Sequence, residues 1–166
     1  MIYKINGLKI VIRPEVITEI NRYYHNNFNY EVGGILFGKF SRENKVIEIM
    51  EVCQVKSSFF SKILYKRDVK KAQRIIDKRW YETNGVLNYV GEWHTHPGMQ
   101  AVPSVVDKNS LREIMMMVQD VLPGIVLLIA GKEDKINLVV QRENKTEMQL
   151  LYEDERGRDL YCIHIQ

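Results

Sequence analysis

GEWHTHPGMQAVPSVVD, from Gly91 to Asp107, is the stretch on which the reading of this chain turns. Val86 to Trp93 leads into it as an apolar strand. Ser104 then opens a helix whose Leu111, Ile114, Met115 and Val118 recur at the 3.6-residue period of an inward face. A strand therefore passes into a helix through a loop that begins at Pro97 and closes at Pro103. His94 and His96 stand at the end of that strand, and Asp107 stands in the first turn of the helix.

Side chains two apart on a strand point to one face, so both imidazoles can turn toward a single point. Two imidazoles are half a metal site. Zinc takes four ligands, and in catalytic sites three come from the protein while water holds the fourth position. Asp107 is the natural third protein ligand, because the Pro97 to Pro103 loop is long enough to swing the first helical turn back over the strand end. The candidate set is His94, His96 and Asp107 around one Zn²⁺ with an open corner. The histidine pair alone is weak, since such pairs arise by chance. Adding a capping serine and a carboxylate three residues after it makes the pattern specific. His25, near a helix end, and His164, in the final apolar run, are read as structural.

Working outward, Ile2 to Ile12 reads as a strand with a turn at Asn6-Gly7, and Pro14 starts a helix carrying Val16, Ile20, Tyr23 and Tyr24 on one stripe to about Asn26-Asn27. EVGGILFGKF, Glu31 to Phe40, reads as a buried strand whose glycines let another backbone come close, and Val46 to Val52 as its antiparallel partner. A helix is expected from about Tyr65 to Glu82 with Val69, Ala72, Ile76 and Trp80 inward, ended by Asn84-Gly85. Pro123-Gly124 stops the third helix. The following Gly124 to Ala130 run is apolar on both faces like a central strand, and Ile136 to Arg142 and the runs ending at Gln166 supply further strands. The fold class is α/β or α+β, one domain over residues 1–166 with a mixed sheet wrapped by about three helices.

Composition narrows the function classes. With 166 residues, 45% hydrophobic and 27% charged, the chain can bury a core unaided, and disordered, collagen-like and disulfide-scaffold classes drop out. A formal charge of +3 is too small for a phosphate-tracking protein, so no nucleic-acid partner is expected. The basic run Lys66-Arg67 with Lys70-Lys71 reads as a solvated helix face. Cys53 and Cys162 lie far apart in apolar runs and read as buried thiols of a reducing compartment. No signal peptide or membrane-length apolar run is seen, which points to the cytoplasm. Met115 to Met117 are read as core and helix surface, Thr95 as packing or orientation, and Trp93 as core.

The residues His94-Thr95-His96, a seven-residue spacer, and Ser104-Val105-Val106-Asp107 resemble the H-x-H…S-x-x-D signature of the JAMM (JAB/MPN) metalloprotease family. The family also has a glutamate before an upstream Gly-containing strand, and Glu31 ahead of VGGILFG fills that position. The resemblance covers nearly the whole chain and implies the MPN fold, with a cytidine-deaminase-like arrangement. It further implies a zinc metalloprotease in which Glu31 is the base and Ser104 donates its hydroxyl to the developing oxyanion.

The wording GEWHTHP is most similar to compact bacterial members, including those encoded beside E1-like and E2-like proteins in CBASS-type antiphage operons. Such enzymes remove a protein conjugated through its C terminus, either a cGAS-like nucleotidyltransferase or a ubiquitin-like protein. The resemblance thus implies an isopeptidase; a processing peptidase for a ubiquitin-like or sulfur-carrier protein and a non-catalytic MPN scaffold are the alternatives. The substrate tail is expected to lie as an added strand on a free sheet edge, with Gly33-Gly34 and the Gly98 to Val102 loop as walls.

Overall fold

The computed structural model describes residues 1–151 apart from 6, 42, 57–66 and 143–144, and only the backbone of 148–151. The expected strand positions of Cys162 and His164, and the start of the second helix at Tyr65, lie outside the described residues. Eight strands form one mixed sheet in the order β1-β2-β4-β3-β5-β6-β7-β8. They are β1 (Ile2–Ile5), β2 (Leu8–Ile12), β3 (Gly33–Phe40), β4 (Val46–Gln54), β5 (Asn88–Thr95), β6 (Ile125–Ala130), β7 (Ile136–Arg142) and β8 (Lys145–Leu151). Helices α1 (Pro14–Asn26), α2 (Val69–Glu82) and α3 (Val105–Val118) cover it. This is the mixed α/β architecture the sequence predicts.

The two faces of the sheet carry separate cores. On one, Val16, Ile20 and Tyr24 of α1 pack on Ile10, Ile12 and Trp93. On the other, Ala72 of α2 and Leu111 and Met115 of α3 pack on Ile35, Leu127 and Ile129. β6 shows the alternation plainly: Val126, Leu128 and Ala130 face the α1 side, and Ile125, Leu127 and Ile129 face the α2/α3 side. Each such fully buried aliphatic side chain contributes about 1.5–3 kcal/mol, so a strand apolar on both faces belongs at the centre of the sheet.

A β-bulge decides which face β5 presents. β3 pairs Leu36 with Gly91 and Phe37 with Tyr89, which leaves Val90 as the extra residue. Tyr89 faces the α2/α3 side and Val90 the α1 side, yet Trp93 is again on the α1 side. The inserted residue flips the alternation, so Glu92 and His94 turn toward α2 and α3. Gly91 is required there. Its φ is +154°, and a Cβ would come 1.9 Å from the Val126 carbonyl oxygen on β6. Gly34 and Gly38 of β3 are closed in the same way by the carbonyls of Cys53 and Glu48 on β4, which accounts for the glycines in that strand.

Two expectations about α2 need correction. The helix begins at Val69, with Asp68 as its N-cap accepting from the Lys71 amide at 3.0 Å, so Arg67 is not helical. Val69 and Trp80, read as inward, are 65% and 48% exposed, while Ala72 is buried and Ile76 half-buried. A narrower stripe meets the sheet: Ala72 is buried in the core on this face, and Ile75 and Ile76 pack partly buried against it.

Candidate active site at the end of β5

β5 and β6 run parallel and α3 is the crossover between them. The N-terminus of α3 therefore returns to the carboxyl end of β5, where open α/β sheets place their sites. β5 extends to Thr95, two residues beyond the expected end, and the His96 amide still donates to the Ala130 carbonyl at 2.7 Å. That ladder aims His94 and His96 to one side. Their Nε2 atoms lie 3.0 Å apart, with ring centroids separated by 4.9 Å.

Asp107 arrives from the third position of α3, in a reciprocal capping box with Ser104. The Ser104 hydroxyl oxygen accepts from the Asp107 amide at 3.1 Å, and Asp107 Oδ2 accepts from the Ser104 amide at 2.7 Å. The Ser104 hydroxyl also donates to Asp107 Oδ2 at 2.7 Å. The cap thus fixes the carboxylate, placing Oδ1 3.4 Å from His94 Nε2 and Oδ2 3.7 Å from His96 Nε2.

The donor set fits a divalent ion. A tetrahedral zinc with nitrogen and oxygen ligands about 2.0–2.1 Å away has those ligand atoms roughly 3.3–3.4 Å apart. The two Nε2 atoms are 3.0 Å apart, Asp107 turns Oδ1 toward His94 and Oδ2 toward His96, and one ligand atom from each residue lies within 4.8 Å of the others, close enough to converge on one ion. The His94 imidazole is held in a suitable protonation state as well. Burial pushes His94 down to about 4, with the Asp107 carboxylate opposing and His96 reinforcing the shift, so its nitrogen lone pair is available at neutral pH. His96 Nδ1 lies 3.3 Å from the Gln100 carbonyl oxygen, which can only accept. An Nδ1–H donating to that carbonyl leaves Nε2 as the nitrogen turned toward the cluster.

Glu31 comes from the segment between α1 and β3. The β3–β5 ladder pairs Gly33 with His94, and one step further the Thr95 amide donates to the Val32 carbonyl at 2.9 Å. The Val32 amide in turn donates to the Thr95 hydroxyl at 3.1 Å, which gives Thr95 its orienting role. This double tie brings buried Glu31 to 3.7 Å from His96 Nε2, beside the cluster. The 97–103 loop is fastened by the Gly98 amide to the Tyr24 hydroxyl at 3.3 Å and by the Lys132 amide to the Met99 carbonyl at 2.7 Å. Trp93 is fully buried in the core, and His25 pairs with Asp134 at the surface, 2.7 Å away.

The five sequence-derived site residues thus share one locality. Two further charged residues lie in the same locality. A cleft of about 490 Å³ runs from His94 and Asp107 between α2 and α3, and at its wall Arg67 is ion-paired with Glu92. Their side chains are only 17% and 15% exposed, so Arg67 is not part of a solvated basic face. Glu92 carried a usable signal: two residues before His94 on a strand, it had to share that face. β3 and β6 flank β5, and the sheet's edges belong to β1 and β8. Among the described residues both edges lie away from β5, and the cleft opens beside His94 and Asp107.

Known proteins resemble this chain in sequence and in fold. It is 26% identical over 137 residues to a CD-NTase/cGAS isopeptidase of Escherichia coli (strain TW11681), covering 82% of this chain and 85% of that protein. A protein of the same name from Enterobacter hormaechei is 35% identical over 85 residues, covering 51% of this chain and 46% of that protein; the match there spans under half of the relative's length. "Probable metalloprotease y4qB" of Sinorhizobium fredii is 28% identical over 130 residues, 76% of this chain and 79% of that protein. The solution structure of protein DSY2949 from Desulfitobacterium hafniense shares the fold, with a TM-score of 0.62 at 17% identity, covering 84% of this chain and 89% of that one. Residues 13–149 match the family described as prokaryotic homologs of the JAB domain, and with the strand–loop–helix site on the same stretch, the chain belongs to that family.

Proposed function

We propose that this protein is a zinc-dependent isopeptidase that cuts the bond after the C terminus of a conjugated protein, its target being a cGAS-like nucleotidyltransferase conjugate of a CBASS-type system. The observation that carries the reading is the convergence of His94, His96 and Asp107, with ligand atoms within 4.8 Å of one another, beside a buried glutamate at the mouth of a cleft. The names of the relatives support the substrate class, and the metalloprotease name supports a metal.

Amide hydrolysis needs an activated water, a stabilised oxyanion and a proton for the leaving amine. A zinc ion held by His94, His96 and Asp107 would act as a Lewis acid and lower the pKa of a bound water to roughly 7. Glu31, 3.7 Å from His96 Nε2, would be the base that takes a proton from water and passes it to the departing lysine amine. The two hydrogen bonds between Val32 and Thr95 fix the backbone next to Glu31. Ser104 serves two tasks in turn. Its hydroxyl donates to Asp107 Oδ2 in this structure; rotated about Cβ–Oγ, it donates instead to the oxygen that becomes negative, while its oxygen still accepts from the Asp107 amide. The cytoplasm is the proposed site of action; no helix among the described residues is long and apolar enough to cross a membrane.

The test is cleavage of a cGAS-like nucleotidyltransferase joined through its C terminus to a fluorescent protein, either by a peptide bond or to a lysine side chain. The expected outcome is cleavage at the junction, abolished by a chelator, restored by zinc, and lost in Glu31→Gln with zinc still bound. A zinc-loaded protein that cleaves neither joint would refute the reading. Preference for the linear joint would turn it toward a processing peptidase.

A further inference from the structure

Resting on the isopeptidase reading, the geometry points to Arg67 as the residue that positions the substrate: held by Glu92, it takes a main-chain carbonyl of the extended tail about two to three residues from the cut. Glu92 lies two residues before His94 on β5 and faces the same cleft. The Tyr89 hydroxyl donates to Glu92 Oε1 at 3.2 Å, and Arg67 Nη1 donates to the same oxygen. The carboxylate is thereby fixed from β5 itself, and it fixes the guanidinium over the cleft.

A guanidinium has five N–H donors. The bond to Glu92 uses one, and the others have no partner among the described residues. They stand at the wall of a cleft whose remaining lining is largely apolar, including Val69, Val106, Ile114 and Met117. An extended chain entering such a cleft brings carbonyl oxygens that must be satisfied once water is excluded. Glu92 neutralises Arg67, so the pair offers donors without net charge. That suits a neutral main-chain acceptor and gives no preference for an acidic side chain. The distance follows from the strand: two residues of β5 advance roughly 6–7 Å, and an extended substrate advances equally.

Two roles are distinguishable here. As a brace alone, Arg67 needs only a positive charge for Glu92, which lysine supplies. As a substrate donor it needs the planar fork, which lysine lacks. The experiment uses full-length, zinc-loaded protein carrying Glu31→Gln, so that the nucleotidyltransferase–fluorescent protein fusion binds without being cut, and reads Kd and Tm. Arg67→Lys is expected to leave Tm at the parent's value and to weaken binding about tenfold or more, as loss of a hydrogen bond from a charged donor does. Arg67→Ala is expected to weaken binding at least as much. With Glu31 intact, the loss in Arg67→Lys falls on KM rather than kcat.

Arg67→Lys binding as tightly as its parent would overturn the substrate-positioning role and leave a brace. A parent protein that does not bind the fusion would overturn the isopeptidase reading, and this inference with it. Parental binding that stays intact in Arg67→Ala would defeat the inference alone.

Discussion

Replacing Gly91 by alanine tests whether one residue sets the site's orientation. A Cβ at Gly91 would sit 1.9 Å from the Val126 carbonyl oxygen, 2.7 Å from the Val126 carbonyl carbon and 2.7 Å from its amide nitrogen. None of these is the end of a flexible side chain, so β5 and β6 must separate by about 1 Å or more. A φ of +154° is nearly closed to alanine, and strain of this kind costs about 1–3 kcal/mol. Overpacking a strand contact costs about 1–3 kcal/mol more. The expected loss is therefore about 4 kcal/mol, or roughly 8–16 °C in Tm for a chain of this size.

Gly7 supplies the control. Its φ is +75°, but a Cβ there meets nothing within 4 Å, so Gly7→Ala should cost only about 1 kcal/mol. Urea unfolding of both variants, followed by circular dichroism, measures the difference. A 1 Å displacement at the end of β5 should also lower turnover about 100-fold. A Gly91→Ala protein within 1 kcal/mol of the Gly7→Ala protein would refute the close approach of β5 to β6 and, with it, the bulge that turns His94 toward α3.

Other outcomes follow from the same geometry. His94→Ala and Asp107→Ala should each lose zinc and activity together, since three protein ligands leave none to spare; elemental analysis after dialysis checks this, and full occupancy in either would remove that residue from the set. Ser104→Ala should cost about 1 kcal/mol in chemical denaturation through loss of the cap, and turnover should fall about 100-fold or more through loss of the oxyanion donor; unchanged turnover would leave Ser104 only its capping role. The metal-free protein should gain stability as pH rises from about 4 to 6.5. In that window the unfolded His94 binds a proton that the buried one does not, so unfolding takes up protons and is favoured by acid. The effect, up to roughly 3 kcal/mol, should vanish in His94→Gln; a flat profile in the parent would contradict the burial of that imidazole.

Much of the fold is legible in the sequence because hydrophobic period and turn chemistry agree. Pro14, Ser104 and Asn84-Gly85 mark helix ends that the structure keeps, and the apolar run from Ile125 to Ala130 is a central strand. Asp68 is an N-cap as informative as Ser104, and it sets the helix start at Val69. Val69 and Trp80 fall on the right helical period, yet period cannot say how wide a face the sheet will cover. The bulge at Val90 is a tertiary feature: it depends on which residue of β3 lies opposite, and only Gly91 hints at it.

The locality of the candidate site is readable for the same reason. His94, His96, Ser104 and Asp107 are joined by one short loop, so local geometry nearly determines their approach. Glu31 is 63 residues from His94 in the chain, and its place depends on the register of β3 against β5; the family resemblance anticipated it where spacing alone does not. Arg67 is hard to single out in the sequence because Lys66, Lys70 and Lys71 stand near it and its partner Glu92 is on a distant strand. A charged residue next to a helix start looks solvated until the sheet beneath it is known.

The central claim is that three side chains from β5 and α3 hold one ion while Glu31 stays outside its ligand set. Crystals of the zinc-loaded protein, measured on both sides of the zinc absorption edge, address it directly. The account predicts a single anomalous peak about 2.0–2.2 Å from His94 Nε2, His96 Nε2 and an Asp107 carboxylate oxygen, with Glu31 beyond bonding distance. A peak bound through Glu31 in place of Asp107, or no peak between the two imidazoles, would contradict it.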